Sequence, residues 1–273
     1  MKISVITSVY NNKETIAEAI ESVLSQSYEN IEFIVVDGAS TDGTVEVIER
    51  YAERIDTFVS EPDHGIYDGL NKGISLATGD VVGFLHSDDL FADTDVVAKI
   101  AAAFEKSGSQ SVYGDLIYVS KSDTSKVVRY WKSGAYTPAK LRRGWMPPHP
   151  TFYVKREVYE KHGGFDTSFR IAADYDSILR FLGREGISTH YLPEVLIKMR
   201  IGGESNKSLA NMLQKSREDL RAMKLNGVGH FGSLLMKNAS KIPQFFLSSR
   251  SSHQDVHRRR EQQKPGQRAA KKP

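Results

Sequence analysis

IEFIVVDGASTDGTVEVIE, residues 31–49, is the stretch on which the fold turns. From Ile31 to Val36 only Glu32 is polar, which predicts a strand covered on both faces, as in the middle of a parallel sheet. Asp37 closes that strand, and Gly38 and Gly43 mark a turn in which backbone can come close to a ligand. Asp42 stands where a carboxylate caps a helix, and Val45, Ile48, Tyr51, Ala52 and Ile55 recur on one stripe after it. The unit is strand, acidic turn, helix.

The same rhythm extends to either side. Ile3 to Val9 reads as a strand, Asn11 with Glu14 as a capping box, and Ile16, Ile20, Val23 and Leu24 as one face of a helix. Downstream come a short strand at residues 56–60, a helix from Tyr67 to Ala77 and a strand at residues 80–85. A helix from Thr94 to Ser107 follows, with Val97, Ile100, Ala101 and Phe104 inward. Strands alternating with crossover helices predict an α/β fold, a Rossmann-like, mainly parallel sheet flanked by helices. After Ser111 the pattern changes: SVYGDLIYV and KVVRYW read as antiparallel strands, so the second half is mixed. Pro147, Pro148 and Pro150 stiffen a loop around His149, and Tyr175, Ile178, Leu179 and Leu182 share a helical face beginning at AADYD.

Composition narrows the function. The chain has 273 residues, 40% hydrophobic and 26% charged, with no cysteine, which excludes disulfides, thiolate zinc sites and cysteine nucleophiles. The amino terminus predicts a strand rather than a signal peptide, and no apolar run approaches the length that crosses a bilayer. A cytoplasmic protein is expected, so the sequons at Asn206 and Asn238 should stay unmodified. Residues 250–273 hold eight Lys/Arg against Asp255 and Glu261, a local +6, which leaves −3 on the rest of a chain whose total is +3. Three regions are expected: a domain over 1–227, an apolar-aromatic segment over 228–249, and a disordered basic tail over 250–273. The middle segment, with Phe231, Leu234, Leu235, Phe245, Phe246 and Leu247, either docks on an anionic inner leaflet beside the tail or packs on the domain; Pro243 would interrupt a long amphipathic helix. Nucleic-acid binding through the tail is a rival reading, but the rest is acidic and no recognition module is visible.

In parallel α/β sheets ligands bind beyond the carboxyl ends of the strands, and the acids gather there. Asp37 follows one strand. Asp88 and Asp89 follow another in VVGFLHSDDLF, residues 81–91. Neighbouring carboxylates repel, so the pair is solvated, caps a helix or shares a cation; at this rim it suits Mn2+ or Mg2+ with positions left open for phosphate oxygens. No phosphate loop, dinucleotide fingerprint, zinc-protease helix or nucleophile elbow occurs. A sugar nucleotidyltransferase remains an alternative, although SVYNNKE lacks the glycine-rich loop it should carry.

Taken in order, SVITSVYNNKETIAEAIESVLSQSY, EFIVVDGASTDGT, EPDHGIYDGLNKGI, ATGDVVGFLHSDD, HPTFYVKREVYEKHGGFD and AADYDSILR resemble the family 2 glycosyltransferases over about residues 2 to 200. The likeness is greatest to bacterial enzymes of exopolysaccharide, capsule and O-antigen synthesis. The resemblance implies the glycosyltransferase A fold and metal-dependent, inverting transfer from a UDP-, GDP- or dTDP-linked sugar to a saccharide or lipid-linked saccharide. It implies that Asp37 contacts the base, that Thr7 and Tyr10 frame the pocket, and that Asp63, Asn71 and Lys72 line the cleft. Ser-Asp-Asp replaces the family's Asp-x-Asp, so Asp88 would touch the ribose side and Asp89 the metal. Asp174 matches the proposed base, with Asp176 as rival because the sequence reads Ala-Ala-Asp where many members have Glu-Asp; on a helix the two point about 200° apart. His149 and Trp145 are candidates for acceptor, sugar or metal contact, or for ordinary loop and core roles.

Overall fold

The computed structural model describes residues 1–202, 209–229 and 231–239. The first half runs β1 (Ile3–Val9), α1 (Ile16–Leu24), β2 (Ile31–Asp37), α2 (Thr44–Glu49), β3 (Thr57–Ser60), α3 (Ile66–Leu76), β4 (Val81–Phe84), β5 (Leu90–Phe91) and α4 (Val96–Ser107). The second half runs β6 (Ser111–Val119), β7 (Val127–Trp131), α5 (Pro138–Arg142), β8 (Tyr153–Lys155), α6 (Arg156–His162), α7 (Ala173–Ile178), β9 (Thr189–Arg200), α8 (Leu209–Leu225) and α9 (Phe231–Ala239). Among the described residues the strands form one sheet of order β3-β2-β1-β4-β8-β6-β9-β5, with β7 paired to β6. β3, β2, β1 and β4 are mutually parallel; β8 is antiparallel to both β4 and β6, and β6 is parallel to β9. This is the expected α/β fold, parallel first and mixed afterwards.

Alternation along the strands separates two cores. Ile3, Val5, Phe33 and Val35 pack with α1, α2 and α4, whereas Ile6, Ile34 and Val36 face Leu70 and the buried residues of α6 and α7. α3 lies close on β1 because Gly69 and Gly73 stand where a Cβ would strike Ser8 and Ile6.

Two helix starts differ from expectation. α1 begins at Ile16 rather than on a capping box at Asn11 and Glu14. Asn11 instead takes a left-handed turn, φ 46°, and its side-chain oxygen accepts the Thr41 amide at 2.9 Å, tying the loop after β1 to the loop after β2. Asp42 does serve the start of α2, accepting the Thr44 amide at 3.0 Å, but α2 stops at Glu49 and a short 3-10 turn carries the chain to buried Ile55.

At the carboxyl end, Val228 and Leu234 are buried in the second core. Phe245, Phe246, Leu247, Asn206 and the basic tail lie outside the described residues. Among the described residues no helix is long and apolar enough to cross a membrane.

Candidate active site

The strand order reverses between β1 and β4, so their carboxyl edges, with that of β2, open the crevice in which such sheets bind ligands. Alternation decides which residues of β1 reach it. Thr7 shares the α1 side with Ile3 and Val5; it is fully buried and its hydroxyl donates to the Leu85 carbonyl at 2.8 Å, so it does not frame the crevice. Ser8 faces the gap at Gly69 instead. Tyr10, one residue past β1, is 63% exposed and free to frame the mouth.

Asp37 is also turned inward. Its carboxylate accepts the Ser40 amide at 2.9 Å, the Ser40 hydroxyl at 2.5 Å and the Ser60 hydroxyl at 2.7 Å, with none of the residue exposed. In this arrangement it braces the turn and presents nothing to a base. Asp63 is nearer the open edge: it accepts the Gly65 amide at 2.9 Å, and a Cβ on Gly38 would lie 2.7 Å from its Oδ2. The glycine turn and Asp63 therefore touch.

Asn71 and Lys72, expected along the cleft, are both engaged by protein groups. Asn71 clamps the backbone of Phe165, donating to its carbonyl at 2.9 Å and accepting its amide at 2.8 Å, which spends both ends of the amide. Lys72 donates to the Pro62 carbonyl at 2.9 Å and pairs with Glu61 at 3.0 Å, a surface arrangement.

The acidic doublet divides. A tight turn, closed by the Asp89 amide on the His86 carbonyl at 3.0 Å, sends its two side chains to different sides. Asp89 is fully buried; Oδ1 accepts the Arg200 amide at 3.2 Å and Oδ2 has no hydrogen-bond partner. Burial first, and the charge of Asp88 second, push its carboxyl well above the ordinary range. Asp89, expected to hold the metal, thus faces the seam with β9 through Oδ1, while its Oδ2 is buried and unpartnered. Asp88 remains half-buried with no donor on its carboxylate among the described residues, and its charge acts on His86. The Arg200 guanidinium locks the turn from behind, donating to the Asp88 carbonyl and to Glu18, each at 2.6 Å.

Across the crevice stands Asp174, the second residue of α7. The Tyr67 hydroxyl lies 3.2 Å from its Oδ1 and 2.7 Å from the Ile171 carbonyl. Burial opposes ionisation of Asp174, but His149, Lys215, Lys237 and the Tyr175 amide outweigh it and hold its carboxyl below the ordinary range. His149 packs on Phe84 at 5.6 Å and lies 5.5 Å from His86, ring centre to ring centre. Burial pulls the pKa of His149 down to about 4 and that of Lys237 down to about 7, so at pH 7 His149 is neutral, Lys237 is charged only in part, and Lys215 and the Tyr175 amide carry most of the remaining support for the Asp174 carboxylate. His86 Nδ1 and His149 Nε2 are buried without hydrogen-bond partners. Asp176 points the other way, accepting from Asn226, just past α8, at 2.7 Å in a site where burial raises its pKa. Trp145 is half-buried against Tyr113 and Tyr136 and donates to the Ser133 carbonyl at 3.0 Å, a packing role.

Among the described residues no three His, Asp or Glu side chains converge on one point. A divalent ion here would take Asp88 as its protein ligand and fill its other positions from diphosphate oxygens and water, a pattern that Mg2+ tolerates. The carboxylate of Asp88, which no described residue donates to, fits that use, and the unpartnered Oδ2 of Asp89 lies in the same turn.

Sequence reasoning passed over Tyr67 and Arg200 as site residues. Tyr67 sits in GIYDG at the start of a helix that points at the crevice, which was a usable signal. Arg200 meets the doublet only through the pairing of β9, which no local pattern reveals.

The family described as glycosyl transferase family 2 matches residues 4–172. An uncharacterised glycosyltransferase of Mycobacterium tuberculosis is 34% identical over 183 residues, 65% of this chain and 68% of that one. A PGL/p-HBAD biosynthesis glycosyltransferase of Mycobacterium bovis is 28% identical over 208 residues, 74% of this chain and 78% of the other. Solved structures share the fold at low identity. TarS of S. aureus in complex with UDP-GlcNAc superposes with a TM-score of 0.61 at 18% identity, over 84% of this chain and 66% of that one, so this chain spans slightly less than two thirds of it. The mannosyltransferase PcManGT of Pyrobaculum calidifontis, in complex with GDP-Man and Mn2+, gives 0.61 at 20% identity, over 90% of this chain and 73% of that one.

Proposed function

The chain belongs to glycosyl transferase family 2, and on that premise we propose that its crevice moves a sugar from a nucleoside-diphosphate sugar to a hydroxyl of a saccharide acceptor, with Asp174 as general base. The observation that carries the reading is the contrast between two carboxylates of one helix. Asp174 is held ionised beside Tyr67, His149 and His86, whereas Asp176 is bonded into the α7–α8 seam.

An aspartate of low pKa is a weak base toward a free hydroxyl, but that hydroxyl acidifies as its oxygen bonds to the anomeric carbon. Asp174 takes the proton while the bond from that carbon to the phosphate oxygen breaks and the nucleoside diphosphate leaves. Attack from the face opposite the departing group inverts the anomeric centre. Tyr10 at the mouth is the surface for the base, and Asp63 with the Gly38 turn lies where ribose would pass. His86 and His149 offer unpartnered nitrogens to donor or acceptor hydroxyls. A divalent ion on Asp88, Mn2+ or Mg2+, would neutralise charge on the leaving diphosphate. UDP-, GDP- and dTDP-linked sugars are the donor candidates, and a lipid-linked saccharide of bacterial surface polysaccharide, reached from the cytoplasmic face of the membrane, is the acceptor class.

Calorimetric titration with UDP, GDP, dTDP and CMP, each with and without Mn2+, tests the reading. Tight binding of one diphosphate that weakens without Mn2+ supports it; equal, feeble binding of all four removes it.

A further inference from the structure

We propose that Glu218 of α8 is a positioning residue for Asp174, holding the backbone that leads into α7 and, through it, the Tyr67 hydroxyl that meets Asp174. The inference rests on Asp174 being the base. Glu218 lies beyond the segment that matches the family, residues 4–172, so its role belongs to the carboxyl-terminal helices of this chain.

Three consecutive amides point at its carboxylate. Arg170 donates to Oε1 at 3.2 Å, and Ile171 and Ala172 donate to Oε2 at 2.8 and 2.9 Å. Gln214, one turn earlier on α8, donates to Oε1 at 2.9 Å and fixes the side chain. Successive amides turned to one side form a concavity that binds an anion, and here the protein supplies the anion from its own next helix. Each such bond to a carboxylate is stronger than a neutral one, and an apolar replacement would leave part-buried amides without partners.

The link to the base runs through one peptide. The Ile171 amide is held by Glu218 and the Ile171 carbonyl faces the Tyr67 hydroxyl at 2.7 Å; the same hydroxyl stands 3.2 Å from Asp174 Oδ1. The hydroxyl has one proton to share between these acceptors. A shift of the Ile171 peptide therefore alters both the direction of that proton and the entry angle of α7. Further upstream the same loop is pinned at Phe165 by Asn71, so Glu218 fixes its end nearest the base.

The test compares the full-length wild type with E218A and E218Q, the second keeping one acceptor oxygen in the same shape. Turnover is followed as nucleoside-diphosphate release from whichever UDP-, GDP- or dTDP-sugar the wild type consumes, and amide hydrogen exchange is measured in parallel. E218A is expected to lower kcat at least tenfold with the donor KM within twofold, and E218Q to regain most of the loss. Exchange at Arg170, Ile171 and Ala172 should quicken at least tenfold in E218A while β1 and β2 stay protected. A kcat within twofold of wild type, or unchanged exchange at those amides, overturns the proposal, as does a parallel loss of kcat and donor affinity with exchange rising everywhere. If the wild type consumes no sugar nucleotide, the reading of the crevice fails, and the exchange pattern alone then decides whether Glu218 holds this loop.

Discussion

The Tyr67 hydroxyl lies 3.2 Å from Asp174 Oδ1, joining the first turn of α3 to the first turn of α7 across the crevice. A donor on a carboxylate favours its charged form, so removing it raises the pKa of that carboxylate. Y67F should leave nucleotide affinity intact, lower kcat about three- to tenfold, and move the acidic limb of the pH–rate profile upward. An acidic limb that stays in place would mean that the hydroxyl serves the Ile171 carbonyl alone.

The two aspartates of α7 make a paired prediction. D174N should keep nucleotide binding and lose transfer, because the amide cannot accept the acceptor's proton. D176A should keep turnover and lose roughly 1–3 kcal/mol of stability, since one N–H of the buried Asn226 amide loses its acceptor at 2.7 Å while the other keeps the Ala222 carbonyl at 2.9 Å. The reverse result, an active D174N beside a dead but stable D176A, would exchange their roles.

How much of this was legible beforehand follows from the range of the forces involved. The strand and helix pattern of the first half is local, because a covered strand such as Ile31–Val36 and a helical stripe such as Val97, Ile100, Ala101 and Phe104 declare themselves in neighbouring residues. Asp174 and Asp176 could be told apart by helical rotation, and the structure separates them as that rotation requires. What was illegible is which carboxylate a distant strand claims. Asp37 is occupied by Ser40 of its own turn and by Ser60, Asp89 by the backbone of Arg200, and Asn71 by Phe165, and all of these partners but Ser40 arrive through tertiary packing. The capping-box reading at Asn11 failed for the same reason, its side chain being drawn to the Thr41 amide of another loop.

Asp88 and Asp89 should part company in a binding experiment. D88N is expected to abolish the increment that Mn2+ adds to nucleoside-diphosphate affinity, since it removes a carboxylate that no described residue donates to. D89N should keep that increment to within about threefold, because an asparagine oxygen can still accept the Arg200 amide at 3.2 Å and the other oxygen has no partner to lose. Calorimetry at matched protein stability reads both. Equal loss in the two variants would place the ion on the doublet as a whole.

The last prediction concerns the opposite edge of the sheet, where Glu32 fastens three segments. Its carboxylate accepts from Lys2 Nζ at 2.7 Å, Ser4 Oγ at 2.5 Å, and the Thr78 hydroxyl and amide at 2.5 and 2.8 Å, with the side chain only 8% exposed. Burial would raise its pKa, but the bonds from Lys2, Ser4 and Thr78 outweigh burial and pull it down to about 2. A folded value below the unfolded one means that Glu32 contributes its full stability above the unfolded pKa of about 4.3, and loses it as the pH falls toward 2. At about 1.4 kcal/mol per unit the contribution is on the order of 3 kcal/mol. E32Q should therefore be less stable than wild type at pH 7 by roughly that amount, with the gap closing between pH 5 and pH 2.5. Urea midpoints across that window measure it, and two curves that fall in parallel would show that Glu32 does not carry the acid sensitivity of this edge.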